Sequence, residues 1–264
     1  KTDGSSAQIK NDEVNIPYNV MNNVSSIYAG YEMFACIDKN GALWTWGYNG
    51  YAMLGQEKNS EEMSEGVIPK CILKNVDKVV LSTNWSGICA AITKERDLYI
   101  WGGDFGNAPK KITSNVDDIS IENMGGDWCL IKKADNTIWG LGENMYGQLG
   151  IGNTTDTMTP QKIDIDNISK IGTSREVGYA ITKTGDLYIW GGHESESDLK
   201  NDEDGNFYWE KIDHCLTRKL SNNLKPTKIM TNVKKVVGKG TAIMILTNDN
   251  SLYGMGYIYD YLSD

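Results

Sequence analysis

The side chains able to carry chemistry in this 264-residue chain are few, and most of them lie together. Both histidines, His193 and His214, fall between Gly192 and Lys225, close to Asp213, Cys215 and the run Asn201-Asp202-Glu203-Asp204-Gly205-Asn206. Imidazole, thiol and carboxylate are the groups from which nucleophilic dyads and metal sites are made. Their spacing here suits neither. His214 and Cys215 are adjacent, so on a strand they point to opposite faces. Neither histidine stands in a nucleophile elbow, an H-E-x-x-H run or a zinc-finger spacing. If Gly205 is set at the sixth position of a calcium loop, Lys200 and Lys211 fall on the first and twelfth ligand positions, where carboxylates are required. The run reads instead as a solvated acidic hairpin tip leading into Phe207-Tyr208-Trp209. No catalytic residue, metal ligand or cofactor is expected, and the chain reads as a binding protein rather than an enzyme.

The remaining thiols point the same way. Five cysteines are an odd number, so at least one is unpaired within the chain, and no C-x-x-C is present. Cys36, Cys89 and Cys129 recur on one strand of successive repeats, where a small buried hydrophobe is expected.

Those repeats are the elements that must position everything else. Each opens on a proline (Pro17, Pro69, Pro109, Pro160 and Pro226). Each continues through an Asn followed by Val or Ile (Asn23, Asn75, Asn115, Asn167 and Asn232) and closes on an apolar strand ending at Gly47, Gly102, Gly142, Gly191 and Gly256. From proline to closing glycine the distances are 30, 33, 33, 31 and 30 residues, whereas from that glycine to the next proline they are 22, 7, 18 and 35. Constant length marks a packing unit, and variable length marks a surface connection that tolerates insertion. Turn chemistry at Asp38-Lys39-Asn40-Gly41 and its counterparts separates two apolar strands in each repeat. The proline-led segment fits an edge strand, which can spare a backbone donor. Four short antiparallel strands make a sheet that cannot bury both faces alone, so the expected fold class is all-β, a β-propeller of about five four-stranded blades. A single propeller domain over 1–264 is expected, with repeats of about 17–68, 69–108, 109–159, 160–225 and 226–264 and an insertion at 192–225. Residues 1–16 look like the tail of a loop of the kind that precedes each later proline.

The N-V-x-x-I strand, the W-G ending and the run Gly142-Glu143-Asn144-Met145-Tyr146-Gly147-Gln148-Leu149-Gly150-Ile151-Gly152 together resemble the regulator of chromosome condensation repeat family. Gly47-Tyr48-Asn49-Gly50-Tyr51-Ala52-Met53-Leu54-Gly55 is a close second copy, and the five copies cover about 17–256. The family usually has a His before its second strand, absent from all five repeats here, and commonly has seven repeats. Two arrangements fit five: a closed ring in which Pro17–Val20 supplies the last outer strand, or part of a longer array. The resemblance implies several roles, namely guanine-nucleotide exchange on a small GTPase, chromatin binding, and inhibition of a secreted enzyme.

Composition weighs among these roles. With 26 basic against 35 acidic residues the formal charge is −9, which opposes nucleic acid and anionic membrane surfaces. No apolar run approaches the roughly 18–20 residues of a membrane span. The chain begins at Lys1 rather than methionine, and a secreted or cell-surface location is the expectation. A protein partner engaged through propeller-face loops is expected, while oligomeric state is not readable. Trp46, Trp101 and Trp190 share one repeat position and are expected in the core between blades. Trp85, Trp128 and Trp209 break the pattern, and recognition hot spots favour tryptophan and tyrosine. The partner-binding candidates are therefore Trp85, Trp128, Asp202, Asp204, Phe207, Tyr208 and Trp209, with the acidic rim implying a basic partner.

Overall fold

The computed structural model describes residues 19–56, 66–84, 87–122, 126–192, 200–201, 207–208, 223–240 and 242–256. Its first sheet is β1 (Val24–Ala29), β2 (Met33–Asp38), β3 (Leu43–Gly47) and β4 (Gly66–Leu73), antiparallel and in chain order. The second is β5 (Val76–Val80), β6 (Cys89–Thr93), β7 (Leu98–Trp101) and β8 (Lys110–Thr113), and the third is β9 (Val116–Glu122), β10 (Trp128–Lys133), β11 (Ile138–Gly142) and β12 (Thr157–Ile163). In the fourth, β13 (Ile168–Ser174), β14 (Val177–Thr182) and β15 (Leu187–Gly191) are followed by a short hairpin, β16 (Lys200–Asn201) and β17 (Phe207–Tyr208), before β18 (Thr227–Met230) completes the sheet. The fifth has three strands among the described residues, β19 (Val233–Lys239), β20 (Ala242–Thr247) and β21 (Leu252–Gly256). Pro17, which would open its outer strand if the ring closes with five blades, lies outside the described residues. These are the blades of a β-propeller fold, and the proline-led segments are their outer strands: β4 and β12 contain Pro69 and Pro160, while β8 and β18 begin just after Pro109 and Pro226.

The recurring asparagine has a conformational reason. Asn23, Asn75, Asn115, Asn167 and Asn232 all have φ between 56° and 63°. That is the left-handed region, which asparagine enters at lower cost than other residues bearing a Cβ. In this conformation each asparagine carbonyl accepts the amide of the residue that follows the second strand: Lys39, Lys94, Ala134, Lys183 and Asn248, at 2.8–2.9 Å. Every blade is thus closed at one end by the same clasp.

A second recurring bond joins neighbouring blades. The Val or Ile after the asparagine donates its amide to the hairpin turn of the blade before it: Val76 to Gly41, Val116 to Arg96, Ile168 to Asn136 and Val233 to Gly185, at 2.8–3.0 Å. The chain divides into two compact units, residues 1–94 with 99–110 and residues 95–98 with 111–264, and each of these four bonds lies within one unit.

Side chains fill the junctions. In the first unit, Met33, Ala35, Ile37 and Leu43 of the first blade pack with Val76, Val79, Leu81, Cys89, Ala91 and Trp101 of the second. In the second unit, Trp128, Leu130 and Ile138 pack with Ile168, Ala180 and Trp190, and Tyr179, Ile181 and Leu187 pack with Val233, Val236, Ile243, Ile245 and Met255. The indole N–H of Trp101 donates to the carbonyl of Met53 at 2.8 Å, and that of Trp190 to the carbonyl of Gln148 at 2.9 Å. Both rings are buried, as their shared repeat position implies. Trp46 differs. It is half-buried and stacks on Phe34 with ring centroids 5.9 Å apart. Cys36, Cys89 and Cys129 are buried and form no disulfide, and burial pushes the thiols of Cys36 and Cys129 above their ordinary range.

Candidate functional site

In an antiparallel blade the turn between the first two strands and the connection leaving the third strand lie at the same end. The connections 48–65, 102–109, 143–156 and 192–226 therefore share that end of their blades with the turns 30–32, 81–88, 123–127 and 175–176. All the variation in spacing between repeats is collected there. The opposite end holds only the asparagine clasps and the tight turns.

On the first blade this loop end carries a group of tyrosines. Tyr31 sits in the first turn, held by its amide donating to the Ser82 carbonyl at 2.9 Å. Tyr48 follows β3, its amide donating to the Glu32 carbonyl at 2.8 Å. The two rings meet edge to face with centroids 6.4 Å apart, and both are exposed, as is Tyr51. Glycine sets this geometry. Gly47 has φ 111° and a Cβ there would lie 2.5 Å from the Glu32 carbonyl oxygen, while a Cβ on Gly50 would lie 2.2 Å from the Tyr48 ring. Tyr51 itself has φ 51°, a conformation that costs an aromatic residue energy and that the loop must hold. The repeat pattern gives these tyrosines no prominence, because Tyr48 and Tyr51 lie inside the recurring motif.

The third blade shows what the skeleton of that motif does. Asn144 is buried, its Oδ1 accepting the Leu149 amide at 2.9 Å and its Nδ2 donating to the carbonyls of Asn153 and Thr155 at 2.9 and 3.2 Å. Its own amide donates to Asp156 Oδ1 at 2.7 Å, and Gln148 Oε1 accepts the Tyr146 amide at 2.9 Å. The asparagine and glutamine are thus internal braces of the loop, and Met145 is what it presents to solvent. Asn49 has the same role in the first blade, its Oδ1 accepting the Leu54 amide at 3.1 Å.

The perturbed carboxylates belong to the tight-turn end. Asp38 is held below the usual carboxylate range by the Ala42 amide, with further help from the Trp44 indole and the Asn40 amide. Asp97 is lowered by the Lys111 ammonium, Asp135 by the Thr137 hydroxyl and Asp249 by the Thr247 hydroxyl. Each is a turn brace with its partners beside it in the fold. Among the described residues no three His, Cys, Asp or Glu side chains gather as a metal site. Among the described residues no helix is long and apolar enough to cross a membrane.

The residues singled out from the sequence are placed unevenly. Trp128, one of the partner-binding candidates, is instead fully buried on β10, with its indole N–H donating to the Arg175 carbonyl at 3.1 Å. It stands at the β10 position equivalent to Met33 on β2, on the face that packs against the next blade, so it serves that junction and offers no surface. Phe207 and Tyr208 form β17, in register with Asn201 and Lys200. Trp85, Asp202, Asp204 and Trp209 lie outside the described residues.

Comparison with known proteins gives this architecture a family context. The regulator of chromosome condensation (RCC1) repeat model matches residues 135–175, which run from the hairpin turn of the third blade to the first strand of the fourth. The chain is 22% identical over 255 residues to the ultraviolet-B receptor UVR8 of Arabidopsis thaliana, covering 89% of this chain and 53% of that protein. It is 32% identical over 141 residues to the protein RCC2 homolog of Danio rerio, covering 46% of this chain and 28% of that protein. Among solved structures, Prp20p of Saccharomyces cerevisiae, a protein studied for its binding to Gsp1p and histones, superposes with a TM-score of 0.61 at 17% identity over 89% of this chain and 57% of its own. Human WBSCR16 superposes with a TM-score of 0.63 at 16% identity, over 88% of this chain and 61% of its own. The chain spans about half the length of the first of these relatives, 53% of UVR8 and 57% of Prp20p.

Proposed function

We propose that this chain, an RCC1-like β-propeller protein, is a non-enzymatic module that recognises a protein partner through the loop ends of its blades. The observation that carries the reading is the segregation of variation. Strand order and the asparagine clasps repeat from blade to blade, every long connection leaves at one end, and on the first blade that end exposes Tyr31 and Tyr48 in edge-to-face contact. Tyrosine offers a large contact area with little rotamer entropy to lose, which suits it to an interface. Protein recognition is also what the likeness to Prp20p supports in its coarse form, since Gsp1p and histones are proteins. The acidic balance of the chain favours a partner surface rich in Lys and Arg over nucleic acid. The insertion 192–225, with Asp202, Asp204, Phe207, Tyr208 and Trp209, is the second part of the proposed surface. Deleting 196–222 across a short Gly-Ser bridge should remove partner binding while leaving the melting temperature nearly unchanged; full affinity after the deletion takes that insertion out of the surface.

Nucleotide exchange on a small GTPase is a narrower form of the same reading, one that the resemblance to the regulator of chromosome condensation repeat family implies. It requires the loops to disturb a nucleotide site. Release of labelled nucleotide from a panel of GTPases checks it, and no stimulation across the panel removes it.

A further inference from the structure

The loop end of the first blade holds three residues in a backbone conformation that side chains avoid. Glu32 has φ 49°, Tyr51 φ 51° and Ala52 φ 59°. Strain of this kind persists only where the surroundings hold it, and it gathers at ligand-binding sites. Here it accompanies two fixed tyrosines. The Gly30 amide donates to the Met33 carbonyl across the turn Tyr31-Glu32, and the Tyr31 amide donates to the Ser82 carbonyl of the second blade, both at 2.9 Å. The Tyr48 amide donates to the Glu32 carbonyl at 2.8 Å, so Glu32 is the link between the two tyrosines. Their rings stand at 76° to each other and remain 38% and 37% exposed.

The repeat does not require this arrangement. In the third blade the position of Tyr48 is held by Glu143, whose Oε1 turns back to accept the Asp127 amide at 3.2 Å. The first-blade loop is braced instead by Asn49, which leaves the Tyr48 ring to meet Tyr31. An edge-to-face contact uses the edge of one ring and one face of the other, so aromatic face stays in solvent beside the exposed Glu32.

Charge is divided between the two ends of these blades. Among the described residues, the loop-end segments 30–32, 48–56, 81–84, 87–88 and 102–109 carry two ionisable charges, Glu32 and Asp104, both negative and both exposed. At the opposite end, segments 39–42, 74–75 and 94 carry Lys39, Lys74 and Lys94. A cation is therefore favoured at the tyrosines and disfavoured at the turns. An open aromatic face attracts a cation, and an arginine can lie flat on that face while its N–H groups, in the plane of the guanidinium, donate to a carboxylate.

We propose that the corner formed by Tyr31, Glu32 and Tyr48 takes one arginine side chain of the protein partner, the guanidinium lying on tyrosine and bonded to the Glu32 carboxylate. This deepens the loop-end reading and rests on it. Glu32 is the residue that sets specificity, since a neutral sugar or a proline segment would also lie on tyrosine but would gain nothing from the charge.

The probe is the peptide acetyl-Gly-Arg-Gly-amide, with citrulline in place of arginine as a neutral comparator of the same shape. Nuclear magnetic resonance follows the ring signals of Tyr31 and Tyr48, assigned from Tyr31→Phe and Tyr48→Phe. The arginine peptide should shift both rings saturably with a Kd of roughly millimolar order, and the citrulline peptide should bind about fivefold more weakly or worse. Glu32→Gln, which keeps the turn and both rings, should lose about the same factor, while Lys39→Ala should not weaken binding. No saturable ring shift up to about 50 mM arginine peptide overturns the proposal, as does equal binding of the citrulline peptide or unchanged affinity in a folded Glu32→Gln protein. Ring shifts with acetyl-Gly-Pro-Pro-Gly-amide that exceed those with arginine would also overturn it and make the corner a proline site. Each of these failures leaves the loop-end reading standing, because that reading is decided by whether a captured partner loses affinity when both tyrosines are removed, whichever side chain the partner presents.

Discussion

Trp101 contributes through two separate effects, and substitutions can tell them apart. Its ring fills the junction between the first two blades, and its indole N–H satisfies the Met53 carbonyl. Trp101→Ala should cost about 3–5 kcal/mol in urea unfolding, whereas Trp101→Phe, which keeps most of the packing but removes the donor, should cost about 1–3 kcal/mol. The clasp asparagines make a sharper point about backbone. With Asn115 at φ 63°, Asn115→Gly should be close to neutral and Asn115→Ala should cost about 1 kcal/mol, the reverse of what a propensity scale would give for a strand end. Asp38 ties stability to acid. Its folded pKa lies below the ordinary 3.8, so its contribution is full above that value and is lost as pH falls through the lower folded one. Asp38→Asn should flatten the acid limb of a stability profile measured between about pH 5 and pH 2 and change little at neutrality. The sequence displayed the clasp asparagine five times without disclosing its role, because a left-handed φ is invisible until the strand on either side is known. Trp128 misled for the opposite reason. It fell outside the W-G pattern, yet the strand position it occupies is a junction position in every blade.

Among the elements, the strands were legible because the same apolar, proline, asparagine and glycine landmarks recur at nearly constant spacing in every repeat. The outer strand could be assigned to the preceding blade because proline suits an edge. The loops were legible only as lengths. That the G-x-N-x-x-G-Q-L-G run is internally braced follows from the three-way bonding of Asn144, which no spacing discloses. Asn144→Ala would leave the Leu149 amide without its partner in a buried site and take the donor from the Asn153 and Thr155 carbonyls, which water can reach. It should cost about 2–3 kcal/mol and make the 143–156 loop susceptible to limited proteolysis while the neighbouring strands stay protected from hydrogen exchange. Equal loss of protection in β10 and in the loop would show that the brace serves the whole blade. The tyrosines at the loop end of the first blade could have been noticed in sequence, since Tyr31, Tyr48 and Tyr51 are not positions that a repeat requires. What the sequence could not convey is that Tyr31 and Tyr48, 17 residues apart, meet edge to face.

At the scale of the whole chain, each repeated blade has two ends of different character: a loop end, where the connections vary in length, and a turn end, where the tight turns recur. The central claim is that partners are recognised at the loop ends. The direct test captures partner protein from source-organism lysate on the immobilised wild-type chain, identifies it, and then measures its affinity for two variants. The first, Tyr31→Ala with Tyr48→Ala, alters the loop end of the first blade. The second, Lys39→Ala with Asn40→Ala, alters the turn at the opposite end of the same blade. Affinity should fall by about tenfold or more for the tyrosine variant, as for the loss of hot-spot side chains, and stay within about twofold of wild type for the turn variant. The reverse order, a loss at Lys39 and Asn40 with wild-type affinity after removal of both tyrosines, would contradict the account.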